Sequence, residues 1–235
     1  MKDRTSALGP GAPLTAAPVV LRRLDEASRA DHIYLTSSDR CAFLAQYLGG
    51  RGYRAGGCNQ LLQNFKRRPS LAAHDARLGH YKRQAIERLA HWLRAAVPRR
   101  MAEGCTWVPI PPSRQPGDPD FDDRLLCTLR LAFSGYDIDL RALLRQTRNT
   151  TRDHQSRIRR SEAELLEIIQ LDRETLASRP LRTRIILFDD VLTSGKHYRC
   201  CRRRLGEALP GVPVLGVFLM RRAPNRGGRS LGRAW

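Results

Sequence analysis

The stretch Ile185-Ile186-Leu187-Phe188-Asp189-Asp190-Val191-Leu192-Thr193-Ser194-Gly195-Lys196-His197 decides how this chain is read. Its opening, with Arg184, is short, apolar and β-prone, the pattern of a buried strand. Two successive carboxylates follow at the strand's carboxyl end. A Thr-Ser-Gly turn then opens a helix predicted over 196–209, with Cys201, Leu205 and Leu209 facing inward. Val214 to Met220 reads as the next strand. Strand, helix and strand within so few residues form a βαβ unit and hence a parallel sheet. The predicted fold class is therefore α/β, a parallel sheet flanked by helices.

Open α/β sheets bind ligands outside the carboxyl ends of their strands. Hydroxyls, a glycine and free backbone N–H groups at a helix N-terminus make a phosphate cradle, to which Lys196 adds a cation. Neighbouring carboxylates accept hydrogen bonds from sugar hydroxyls or hold water around Mg²⁺. An ordinary capped turn has the same local geometry without a ligand. Gly195-Lys196 imitates the end of a Walker A loop, but that motif needs a glycine at position 190, which is Asp. Gly50-x-Gly52-x-x-Ala55 imitates a dinucleotide fingerprint, yet no strand is predicted before it and no helix opening after it, so it reads as a glycine-rich turn.

Upstream, CTWVPI (105–110) predicts a second buried strand running into the stiff loop Pro111-Pro112-Ser113-Arg114. Residues 76–96 place Ile86, Leu89 and Leu93 on one helical face, and Pro98 ends that helix. Residues 122–133 read as another helix; Asp122, Asp123 and Arg124 either start it with favourable charges or face the same cleft. Ser161 to Glu164 gives a capping box ahead of a further helix. Between them, Arg141 to Arg160 holds seven arginines and few apolar residues, so it cannot be core. By composition it reads as a surface loop able to contact nucleic acid. In CNQLLQNFKRR, Leu61, Leu62 and Phe65 give a core face, with Asn59, Asn64 and Lys66 on its solvated side. The predicted organisation is a loosely held arm over 1–30, a hood-like helical part over 31–100, the α/β core over 101–222 and a basic tail over 223–235.

The chain has 235 residues, enough to bury a substantial core, and a formal net charge of +19, carried almost wholly by arginine. Such a field favours polyanions: nucleic acid, anionic membrane surface or phosphorylated small molecules. Six cysteines without a C-x-x-C pair exclude a zinc ribbon and a thioredoxin-type motif and read as reduced, mostly buried thiols. With no continuous apolar leader and no apolar run long enough to span a bilayer, a soluble cytoplasmic protein without membrane contact is expected. The sequence leaves its oligomeric state open.

Residues 185–197 resemble the phosphoribosyl pyrophosphate (PRPP) signature of type I phosphoribosyltransferases, an apolar strand followed by two acids, a hydrophobic pair and a Thr/Ser-Gly loop. Upstream, the order of Leu61 to Lys66, Val108 to Pro111 and the Arg/Thr/Gln-rich 145–160 segment is similar to ComF-type proteins, so the resemblance covers about residues 60–222. It implies the type I fold with an N-terminal hood, Mg²⁺ and PRPP, and displacement of pyrophosphate from the anomeric carbon by a nucleophile. It also implies roles, among them a mobile flap over PRPP carrying Arg148, Arg152, Gln155 and Arg157 in place of the nucleic-acid-contacting loop, and an acceptor hood to which Asn59, Asn64 and Lys66 would belong in place of a merely solvated helix side. Thr193, Ser194, Gly195, Lys196 and His197 would hold the 5′-phosphate, Asp189 and Asp190 the ribose hydroxyls and, through water, the metal, and Pro112, Ser113 and Arg114 the pyrophosphate. The chain departs from the family in three places: His197 replaces a hydroxyl residue, no N-terminal cysteine zinc module is present, and Asp118 to Arg124 stands where an Arg-Gly-Phe-Asn stretch is usual. A divergent branch is expected, its acceptor not transferable from the family. The alternative is a non-catalytic protein of this fold that senses PRPP or a nucleotide and binds DNA or RNA.

Overall fold

The computed structural model describes residues 19–149 and 161–224. In chain order the strands are β1 (Arg22–Arg23), β2 (Cys41–Leu48), β3 (Thr106–Pro109), β4 (Asp139–Leu140), β5 (Leu144–Gln146), β6 (Ile169–Leu171), β7 (Ile185–Leu192) and β8 (Val214–Ala223). The helices are α1 (Glu26–Arg29), α2 (Gly57–Phe65), α3 (Pro69–His74), α4 (Ala76–Ala96), α5 (Arg99–Gly104), α6 (Arg124–Ala132), α7 (Glu162–Ile168), α8 (Arg173–Ala177) and α9 (Lys196–Ala208). The central sheet has the order β1-β2-β8-β7-β3-β4, and β5 and β6 pair separately. All its pairings are parallel except that of β1 with β2.

Side chains alternate along β7, and both faces are covered, which is why the strand reads as a continuous apolar run. Ile186 and Phe188 join Phe65, Leu89, Leu93, Trp107 and Phe133 in a core beneath α2, α4 and α6. Ile185 and Leu187 join Ile168, Ile169, Tyr198, Cys201 and Leu205 in a second core beneath α7 and α9.

The 76–96 helix forms as predicted, its N-terminus capped by Asp75, whose carboxylate accepts from the Arg77 and Leu78 N–H groups. The capping box at Ser161 and Glu164 also forms. β7 departs from expectation by running on through both aspartates to Leu192. Its neighbour β8 continues to Ala223 and keeps pairing with it as far as Leu192 and Arg221, so the ladder does not stop at the acids.

The N-terminal organisation needs two corrections. Residues 22–24, expected in a loose arm, are tied down: β1 pairs with Ala42 and Phe43, Leu24 N–H donates to the Cys41 carbonyl at 2.8 Å, and the Leu24 side chain is buried. The 31–100 part is not only a helical hood, because β2 pairs with β8 along its length and is a strand of the central sheet. Residues 1–18 lie outside the described residues, as do 225–235 of the expected tail, whose first residue, Ala223, ends β8. The described cysteines are all free thiols, with Cys41, Cys105, Cys200 and Cys201 buried. No described helix is long and apolar enough to cross a membrane.

Candidate functional site

From β3 the chain moves outward to β4, and β7 later returns on the other side of β3. The loops leaving β3 and β7 therefore diverge, opening a crevice at a topological switch point. A cleft of about 1050 Å³ lies there, with Pro112 and Ser113 on one wall and Asp189 to His197 on the other. Lys66 also lines it.

Gly195 is the N-cap of α9 and has φ +84°, a left-handed conformation that glycine adopts without penalty. A Cβ there would come within 2.7 Å of Leu35 Cδ2. The loop is braced from outside by the segment after α1: Tyr34 N–H donates to the Ser194 carbonyl at 3.0 Å, and His32 Nδ1 contacts the Thr193 carbonyl. Lys196 is buried with its Nζ 5.2 Å from the Tyr34 ring centroid. His197 Nε2 lies 3.4 Å from the Gln146 side-chain nitrogen.

The two aspartates have different surroundings. Asp190 is buried and accepts from Lys66 Nζ at 2.9 Å through Oδ1 and from the Arg124 guanidinium through Oδ2. Asp122 holds Arg124 from behind at 2.7 Å and takes Lys82 at 2.9 Å. Alternating charges thus run Lys82, Asp122, Arg124, Asp190, Lys66. Burial pushes the Asp190 carboxyl up, but Lys66 and Arg124 outweigh it and hold the group well below the usual carboxylate range. Asp189 accepts from the Asp190 backbone N–H at 2.7 Å and makes no ion pair among the described residues. Burial, and then the neighbouring Asp190 charge, pushes it up to about 7.

The other expected residues are placed as follows. Arg114 pairs with Asp118 at 3.8 Å and lines a small polar recess of about 50 Å³ with Arg68, Asp120 and Arg124. Asn59 is corrected from acceptor contact to a structural brace: it is buried, and its amide is spent on the Leu48 N–H and carbonyl and the Arg51 carbonyl. Asn64 accepts from Arg67 at 3.0 Å and does not line the cleft. Arg148 is exposed, 3.7 Å from Glu167 and outside the cleft lining. Arg152, Gln155 and Arg157 lie outside the described residues.

Arg124 belongs to the cleft rather than only to a helix start. Lys82, Gln146, Tyr34 and His32 had no local signal, because each reaches the site from an element distant in sequence. A divalent cation held directly by Asp190 does not fit this arrangement, since both Asp190 oxygens already face cations, and Asp189 alone offers a single carboxylate, one oxygen of which accepts the Asp190 N–H. Compared with models of known protein families and with curated protein sequences, the chain matches neither.

Proposed function

We propose that the cleft binds PRPP and that the protein is a phosphoribosyltransferase-like enzyme, transferring the phosphoribosyl group to an acceptor with release of pyrophosphate. The observation that carries this reading is the juxtaposition, at a switch-point crevice, of the glycine loop opening α9 and the cleft-lining carboxylate of Asp189. It agrees with the resemblance of residues 185–197 to the PRPP signature. Backbone N–H groups and the α9 dipole receive the 5′-phosphate, and Asp189 accepts from ribose hydroxyls. In the transfer a bond from the acceptor nucleophile to the anomeric carbon forms as the bond to pyrophosphate oxygen breaks, and pyrophosphate leaves with the electron pair. The protein's part is positioning and electrostatic stabilisation. The test is the PRPP-induced rise in melting temperature. A ligand at one hundred times its dissociation constant stabilises by about 2.7 kcal/mol. Asp189→Asn should lose most of that rise while remaining folded, and an equal rise in both proteins would refute the assignment.

A second reading, nucleic-acid binding, is favoured by α4. Its exposed Arg77, Arg83 and Arg88 make no ion pair among the described residues, whereas Arg199, Arg202, Arg203 and Arg204 of α9 are paired with Glu162, Asp39 and Glu207. Exposed cations along one helix suit a phosphate backbone. Neutralising these three should weaken duplex binding and flatten its salt dependence, and unchanged salt dependence would remove this reading.

A further inference from the structure

The cations on Asp190 stand where the acidic pair was expected to receive a metal. Lys66 and Arg124 each take one of its oxygens, and the three side chains come from the end of α2, the start of α6 and β7. This arrangement is fixed independently of any ligand. Arg124 is held by Asp122 and lies over the Phe65 ring at 5.5 Å. Asp122 is itself fixed by Lys82, which also donates to the Phe65 and Arg67 carbonyls and so clamps the backbone on either side of Lys66. Mg²⁺ binds oxygen at about 2.0–2.1 Å and demands near-ideal octahedral geometry. At either Asp190 oxygen it would have to displace a cation already hydrogen-bonded there. Lys66 and Arg124 also line the cleft, so their charge faces a bound ligand.

We infer that, resting on the PRPP-site reading above, this chain binds its phosphorylated pentose without a protein-held divalent cation, Lys66 and Arg124 supplying the positive charge beside the acidic pair. The ligand class is a pentose carrying phosphate and diphosphate groups.

Calorimetric titration of the full chain with PRPP, in chelator and in excess Mg²⁺, tests this. Wild type should bind in both, with dissociation constants within about threefold, a difference well under 1.4 kcal/mol. Lys66→Met, which keeps the stem and removes the charge, should weaken binding in chelator by about tenfold or more, the scale of one charge-assisted hydrogen bond, and Mg²⁺ should restore part of it. Titration of Mn²⁺ alone, followed by electron paramagnetic resonance, should show no uptake by wild type. Wild-type binding only in Mg²⁺, or Mn²⁺ uptake by wild type, would overturn the inference and leave the PRPP site standing. Absence of PRPP binding in both conditions would overturn the site and the inference together. Should Lys66→Met not fold, the two wild-type titrations still decide.

Discussion

Asp189 and Asp190 are adjacent in sequence, yet the pleat sends them to opposite faces of β7 and into opposite electrostatic states. Asp189 has a folded-state value above that of an unfolded aspartate, so the stability it lends is full below about pH 4 and is lost as the pH rises through about 7. Asp190 is held below the ordinary range, so its contribution is present above that range and lost as the pH falls through its folded value. Asp189→Asn should therefore raise the melting temperature above pH 7 and change little near pH 4. Asp190→Asn should destabilise by roughly 3 kcal/mol at neutral pH, because Lys66 and Arg124 lose a buried partner. Urea unfolding of both variants across pH checks the pair of signs, and matching profiles would contradict the division of roles. The sequence shows two acids together. It does not show which is neutralised, because Lys66 and Arg124 approach from 124 and 66 residues away.

At the scale of elements, the strand, turn and helix from Ile185 to Ala208 were legible because apolar run, glycine and helical period coincide in one short segment. β2 was not: its apolar run is as continuous and the glycine-rich turn at 49–52 follows it directly, but that turn was read with no strand before it, and no acidic or hydroxyl motif drew the run into the sheet. The brace on the loop that opens α9 was also hidden, since Tyr34 and Leu35 meet Ser194 and Gly195 from the far end of the chain. Gly195→Ala should lower stability by about 1–2 kcal/mol through left-handed strain and the Leu35 contact. Adding Leu35→Ala should recover the contact part and leave the conformational part, measured by thermal melts of the single and double variants. Full recovery would show that φ carries no cost there.

For the whole molecule, the three-layer α/β architecture follows from the two-faced burial of β7, and the crevice follows from the strand order. The high arginine content was visible in the sequence, but its distribution was not: α9 spends its arginines on acids, while the exposed Arg77, Arg83 and Arg88 of α4 make no ion pair among the described residues. The most direct test of the central claim is amide hydrogen exchange of the full chain with and without PRPP. Slowed exchange is predicted in peptides spanning 187–199 and 31–36, where the loop and its brace meet the ligand. Protection confined to other segments, or none at saturating PRPP, would contradict the assignment of this crevice as the binding site.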